Sequence, residues 1–435
     1  MNIVIAILAL GLLVVFHEFG HFIVAKANGV RVKEFAIGFG PKIFGFKKGE
    51  TEYTFNILPF GGACIMQGDM EDTAKDEVID EDRSFGSKSV WARIAIIAAG
   101  PIFNFFLAFI FSVIIISNVG YQPAKVYDVE EGTPAYEAGL RAGDEILKIN
   151  GRSIGFASEY DVYTMVYPDK TYNITYKRDG KKYKTSFTPV KTHQVAYRIG
   201  IMIQNASPVK VVEVSKDSVA DKAGVKAGDG VVSINGVSIE TADQVSEEFT
   251  KAEGAECTVV IMRDGSEMPL KITPDKVEYD EMVTGMYVFS AFVKGSPVEV
   301  VTKSASQVRY DIMTVIDSLR MLVSGKVKSD DVAGPVGIVN IISDTVNESK
   351  TDGIKYMLLN LMYLVALLSA NLGVMNLLPI PALDGGRLVF LFIEAIRRKP
   401  VDREKEGIIH LVGMACLMVL MVFILFNDIK NVFFK

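Results

Sequence analysis

Residues 3–25 read IVIAILALGLLVVFHEFGHFIVA, and the HEFGH inside them, His17 to His21, organises the rest of the chain. Positions four apart on a helix share a face, so His17 and His21 point the same way with Glu18 beside them. Paired imidazoles next to a carboxylate form a zinc-binding pattern. The apolar run around them is about 23 residues long, which at about 1.5 Å per residue spans a bilayer's hydrocarbon core. The plainer reading, two hydrogen-bonded interior histidines, suits a soluble helix. In a membrane segment, an unliganded His, Glu, His cluster has nothing to offset its desolvation, so the residues point to metal.

Charge gives the helix a direction. No Lys or Arg precedes it, whereas Lys26, Arg31 and Lys33 follow at once. The positive-inside rule then puts the N-terminus outside and HEFGH in the inner part of the bilayer. The run has no basic n-region and no A-x-A site, so it is expected to stay on as a helix. With 49% hydrophobic residues beside 23% charged ones and a mean hydropathy of +0.28, the chain divides between membrane segments and a soluble part. A net charge of −6 without a basic stripe gives nucleic acid no footing. Cys64, Cys257 and Cys416 are odd in number and widely scattered, which supports neither a disulfide framework nor a thiolate metal site.

Downstream, residues 30–90 alternate and carry Gly and Pro, as in VKEFAIGFGPKIFGF and TEYTFNILPFGGACIMQGD. They read as strands or hairpins, part of which dips beside the metal, where an exposed strand edge could pair with an extended substrate. The acidic stretch Glu71 to Asp82 reads as a flexible surface loop. A second span, about Ile94 to Val119, contains AAGPIFNFFLAF. Its small residues let a neighbouring helix approach, and Asn104 can hydrogen-bond across that contact, as packing before chemistry.

From Gly120 to about Pro274 the composition is that of a soluble region, and it repeats. AGLRAGDEILKING, Ala138 to Gly151, recurs without a gap as AGVKAGDGVVSING, Ala223 to Gly236. Each copy reads as a short helix ending at Gly, a Gly-Asp turn, and an apolar strand closed by Asn-Gly. This pattern resembles the PDZ domain, whose family takes an extended peptide, often a C-terminus, as an added strand. Residues 297–328 look like an amphipathic helix on the outer membrane surface, with Val308, Ile312, Ile316 and Leu319 apolar beside Arg309 and Asp311. GPVGIVNII from Gly334 reads as a turn and a packed apolar segment.

A third span, about Ile354 to Leu378, runs inward to Asn371 and Asn376. Pro379 and Pro381 stop it, and LDGGR brings Asp384 into a tight turn. Arg387, Arg397, Arg398, Lys399, Arg403 and Lys405 follow, which independently places this end inside. The last span, Ile408 to about Phe426, returns the C-terminus outside, with His410 as an interfacial or packed residue. Catalytic zinc takes three protein ligands and keeps one open position. Asp384, at the depth of HEFGH, is the leading third ligand, and Glu34, Glu50 or Glu52 stand as alternatives.

HEFGH in a first spanning helix, GFGP and PFGG in the loop, AAGPIFNF in the second helix, the duplicated PDZ-like copies and NLLPIPALDGG near the end together resemble the site-2 protease family. The likeness covers nearly the whole chain and is nearest to bacterial regulators of anti-sigma-factor proteolysis. It implies zinc (Zn2+) held by His17, His21 and Asp384, Glu18 as catalytic carboxylate, and Asn376 as a polar partner of the substrate. It also implies regulated intramembrane proteolysis of single-pass membrane proteins, anti-sigma factors or remnant signal peptides, once their outer domain is removed.

The expected fold is a polytopic α-helical membrane protein with about four transmembrane helices, a membrane-associated β-hairpin region and two extracytoplasmic α+β PDZ-like domains. Its expected parts are 1–119, the first membrane half; 120–196 and 197–280, the PDZ-like domains; 281–353, a linker with the amphipathic helix; and 354–435, the second membrane half. The expected location is the cell inner membrane, with both termini and the PDZ-like domains extracytoplasmic. A rival assignment is a membrane-embedded PDZ adaptor with a structural metal, but closed structural sites have four protein ligands and only three are apparent here. A zinc protease acting on soluble substrates is the third reading, and the depth of HEFGH speaks against it.

Overall fold

The computed structural model describes residues 2–69, 81–327 and 333–433. Most of the acidic 71–82 stretch lies outside the described residues; Glu81 and Asp82 belong to a 3-10 turn, Glu81–Arg83. Among the described residues, four helices are long and apolar enough to cross a membrane: Ile3–Ala27, Val90–Val119, Ile354–Leu377 and Glu404–Lys430.

The first of these forms α1 (Asn2–Ala27) and carries HEFGH near its end. β1 (Val32–Lys48) and β2 (Thr51–Met66) follow as an antiparallel hairpin that doubles back on itself. Residues 34–37 pair with 52–55 on one side and with 62–65 on the other, while 44–48 pair with 51–55. The hairpin is thus a four-stranded sheet with the segment beginning at Gly62 on an edge. α2 (Val90–Val119) starts at Ser89, whose hydroxyl accepts the Ala92 N–H at 3.3 Å, and ends at Gly120 in a left-handed conformation, φ +93°.

Two α+β units come next. The first contains β3 (Val126–Val129), α3 (Pro134–Glu137), β4 (Glu145–Ile149), β5 (Arg152–Ser153), α4 (Ala157–Val166), β6 (Tyr172–Arg178) and β7 (Lys181–Phe187). β8 (Val190–Arg198) leads out of it. The second contains β9 (Ile201–Gln204), β10 (Val209–Val214), α5 (Val219–Lys222), β11 (Gly230–Ile234), β12 (Val237–Ser238), α6 (Ala242–Lys251), β13 (Cys257–Arg263) and β14 (Ser266–Ile272). β15 (Asp275–Val283) then pairs antiparallel with β8 along its whole length, from Asp275 opposite Arg198 to Val283 opposite Val190.

The repeat read from the sequence has one structural cause in both units. Arg178 grips buried Asp144 through Nε and Nη2, each at 2.7 Å, and donates to the Gly139 carbonyl; Arg263 grips buried Asp229 at 2.7 and 2.6 Å and donates to Gly224. Each pair ties the Gly-Asp turn to a neighbouring strand by a fork of charge-assisted bonds.

The expected division at 280 differs from what is observed. β16 (Met286–Val288) pairs with β3, and Met286 and Val288 are buried in the first unit's core beside Ala135, Leu140 and Tyr172. The second unit has its own core, including Val211, Ile234, Phe249 and Ile261. It is therefore inserted into the first, on a two-stranded ribbon. The expected domains 120–196 and 197–280 abut, and the strand that completes the first unit carries no repeat signature, so the sequence hides this nesting.

α7 (Pro297–Val323) opens with a capping box between Ser296 and Glu299. Its Val308 packs on Ala108 of α2 and on Ala366 and Ala370 of α9 (Ile354–Leu377), between which lies α8 (Pro335–Glu348) in chain order. The periodicity of α7 differs from the expected one, because Asp311 is buried and Ile316 exposed. The helix presents one face to α2 and α9 and another to α4, rather than a single apolar face to lipid. α8 takes in GPVGIVNII as a helix, whose first N–H groups, with that of Gly334, are capped by the Asp428 carboxylate at 2.9 to 3.0 Å. α10 (Asp384–Arg397), expected as a turn, is an amphipathic helix; Leu388 and Leu391 join the core beside Ala25, Val32 and Ile96. α11 (Arg403–Phe433) carries Asp428 near its end.

Candidate active site

α1 and α2 cross with their backbones in contact. A Cβ on Gly20 would lie 2.4 Å from the Ala99 carbonyl oxygen. One residue further, a Cβ on Gly100 would lie 2.3 Å from His21 Nε2 and 2.8 Å from His17 Cε1, so the absent side chain leaves room for both imidazoles. Asp384, first residue of α10, reaches the same place. The turn of LDGGR lies just before it, not around it.

The three side chains meet in a nearly equilateral triangle. Asp384 Oδ2 is 3.1 Å from His17 Nε2 and 3.3 Å from His21 Nε2, and the two imidazole nitrogens are 3.3 Å apart. A tetrahedral ion with bonds of about 2.0 Å separates its ligands by about 3.3 Å, so the donor set fits zinc. The protons agree. His21 Nδ1 is 2.9 Å from the Ile96 carbonyl, which can only accept, so Nδ1 carries a hydrogen and Nε2 is the nitrogen that would give its lone pair to a metal. The buried Asp384 Oδ2 has no hydrogen-bond partner among the described residues. Lone pairs converging in this way repel one another unless a cation lies between them.

Asn104, expected as a packing residue, does pack: it is fully buried, and its carbonyl accepts from Ser369 on α9 at 2.8 Å. Its side-chain amide also meets His17 Nδ1 at 3.1 Å, with Oδ1 otherwise unpartnered among the described residues. Exchanging the amide oxygen and nitrogen gives Oδ1 a donor in His17 Nδ1–H and leaves Nε2 free for metal. The AAGPIFN stretch contained the signal, since Gly100 and Asn104 share a helix face.

Glu18 and Asn376 line the same cavity of about 330 Å³ as His17, His21 and Asp384, with Gly61, Gly62 and Cys64 forming one wall. The Cys64 backbone N–H donates to the Glu18 carboxylate. The alternative third ligands are engaged elsewhere: Glu34 accepts from Thr54, Glu50 pairs with Arg83 and Lys26, and Glu52 pairs with Lys42. Hydrogen bonds from Arg83 hold the Glu50 carboxyl down at about 2, with Lys26 adding to them against the effect of burial. Asn371 is not among the residues lining the cavity. His410 accepts the Ala382 N–H instead of approaching the triangle.

This arrangement of two imidazoles, one carboxylate and a second carboxylate alongside agrees with a comparison of sequences. Residues 5–420 match peptidase family M50. The chain belongs to that family. It is similar to the zinc metalloprotease RasP of Bacillus licheniformis, 34% identical over 452 residues and 100% of both chains. It is also similar to the regulator of sigma-W protease RasP of Bacillus subtilis, 33% identical over 99% of each chain. The zinc metalloprotease RasP of Geobacillus kaustophilus is 31% identical over 99% of this chain and 98% of its own. This M50 chain is a zinc-dependent metalloendopeptidase and a membrane protein.

Proposed function

We propose that the chain cuts single-pass membrane proteins within or near the cytoplasmic half of their spans, after another protease has removed the outer domain. The observation that carries this reading is a triangle of ligand atoms with 3.1 and 3.3 Å edges, sharing one cavity with Glu18 among helices apolar enough for lipid. His17, His21 and Asp384 hold the zinc, which supplies Lewis acidity towards a carbonyl and acidifies water towards a pKa of about 7. Glu18, oriented by the Cys64 N–H, takes the proton of the attacking water and returns it to the leaving amide nitrogen. Asn376 donates to the substrate backbone near the developing oxyanion.

A helical substrate must unwind first, because its amides are engaged and its scissile carbonyl is shielded. The sheet edge beginning at Gly62 lies against this cavity, which suits it to take the unwound segment as an added strand. Lys26, Arg31 and Lys33 after α1, and the arginines that follow α9, support an inner-membrane orientation with the site towards the cytoplasm and both termini outside. The two α+β units, PDZ-like and extracytoplasmic in this reading, crowd the entrance or take peptide C-termini. The name of the Bacillus subtilis relative favours anti-sigma-factor type proteins as substrates.

The test is reconstitution of the full chain in liposomes with single-pass reporters, with and without their outer domains, and mass spectrometry of the cut ends. The expected cut lies within the span of the trimmed reporter only, disappears with a chelator and returns with zinc. Glu18→Gln is expected to keep zinc and lose cleavage, and Asp384→Ala to lose zinc. Full turnover by Glu18→Gln, or a cut far from the membrane, overturns the reading.

A further inference from the structure

The turn that delivers Asp384 to the site is held by the last span. Ile380 to Leu383 form a β-turn closed by the Leu383 N–H, which donates to the Ile380 carbonyl at 3.1 Å. Pro381 fixes a negative φ at the second position, and Ala382 at the third has φ +79°. That pairing is a type II turn. Its third position favours glycine, because a side chain is strained at positive φ, yet this chain has alanine there. Relative to the type I turn that alanine would prefer, the Pro381–Ala382 peptide is rotated and its N–H points elsewhere.

That N–H donates to His410 Nδ1 on α11, 2.9 Å away. His410 is 9% exposed and its Nε2 has no hydrogen-bond partner among the described residues, so the Ala382 N–H is the one polar contact found for it. One helical turn along α11, Gly413 meets the same turn: a Cβ there would lie 2.5 Å from Pro381 Cβ and 2.7 Å from its carbonyl oxygen. The Phe390 ring of α10 packs on His410 at 5.6 Å and steadies the imidazole. One face of α11 thus grips the turn by a hydrogen bond and by close contact, two residues before Asp384.

We propose that His410 is a positioning residue for the metal centre. By accepting the Ala382 N–H it keeps the 380–383 turn in its type II form and so sets where α10 presents the Asp384 carboxylate. The proposal rests on the reading of Asp384 as third zinc ligand. His410 lines neither the triangle nor the cavity and acts through the turn, whose Ala382 and Leu383 line the cavity beside Asp384, so its loss falls first on metal affinity and turnover.

The test measures zinc affinity of the purified full chain in detergent by competition with a chelator, alongside cleavage of a trimmed single-pass reporter. His410→Leu is expected to bind zinc about tenfold more weakly, with kcat reduced by a larger factor than KM is raised. His410→Asn keeps an acceptor oxygen near the position of Nδ1 and is expected to retain affinity within about twofold. Adding Ala382→Gly to His410→Leu supplies the residue for which positive φ is unstrained, and is expected to recover most of the lost affinity. Parental zinc affinity in His410→Leu overturns the proposal, and so does a loss that Ala382→Gly fails to repair. Should His410→Leu not fold, recovery of folded, zinc-binding protein on adding Ala382→Gly supports the proposal and its absence overturns it. Asp384→Ala separates the two failures: unchanged zinc affinity there defeats the ligand reading, whereas its loss there but not in His410→Leu defeats only the positioning role.

Discussion

Gly100 shows how little room the site leaves. An added methyl would lie 2.3 Å from His21 Nε2, so Gly100→Ala displaces both imidazoles although alanine is the better helix former. It is expected to abolish stoichiometric zinc binding, read by metal analysis, while circular dichroism keeps its helical signal. Asn104→Ala removes the partner of His17 Nδ1 and is expected to weaken zinc binding by about 10- to 100-fold, whereas Asn104→Asp, which keeps an acceptor, binds more tightly than the alanine variant. Chelator competition checks both. At this scale, legibility followed locality. HEFGH was readable because ionisable residues inside an apolar run demand a reason, and Asp384 because topology brought it to the same depth. The Asn104 contact joins residues 87 apart and the His410 contact residues 28 apart, and no periodicity marks either pairing.

Among the elements, α7 departs most from its sequence pattern. Helical spacing alone made Asp311 a solvent-facing residue, but α7 is enclosed on two faces, and burial pushes the Asp311 carboxyl up to about 7 despite the Gln307 hydrogen bond. In the unfolded chain the same group ionises near pH 4. As pH rises from about 4 to about 7, the unfolded state releases its proton first, so this group withdraws stability across that window and the loss persists above it. Asp311→Asn is therefore expected to raise the thermal midpoint in detergent at pH 8 more than at pH 5. The opposite face of α7 is ionic. Glu159 of α4, fully buried, receives Arg309 at 2.8 Å, and Asp317 pairs with Arg152 of β5. Glu159→Gln takes the carboxylate from Arg309 and leaves Arg152 with Asp317 alone, at a cost of about 2 kcal/mol for the lost charge-assisted bond. Limited proteolysis is expected to reach the 150–170 region sooner in that variant.

For the molecule as a whole, the sequence delivered four apolar helices, a hairpin between the first two and a duplicated soluble region, because each leaves a composition or period that can be read along the chain. The nesting of one α+β unit inside the other leaves neither. It makes an asymmetric prediction about deletions. Removing 199–274 and closing the β8–β15 ribbon keeps every strand of the first unit, and the shortened protein is expected to purify folded and to bind zinc as the parent does. Removing 120–196 instead strands Met286 and Val288 without β3, and aggregation on size exclusion is expected. If the units act as a barrier over the entrance, the first deletion also admits reporters that still carry their outer domains.

The strand Met286–Val288 has one more consequence, in time. Synthesis runs from the N-terminus, so the half begun at β3 must wait, its hydrophobic interior open, until the whole inserted copy has been made and the chain returns along the ribbon. The later-born copy closes first, and the earlier one is finished last.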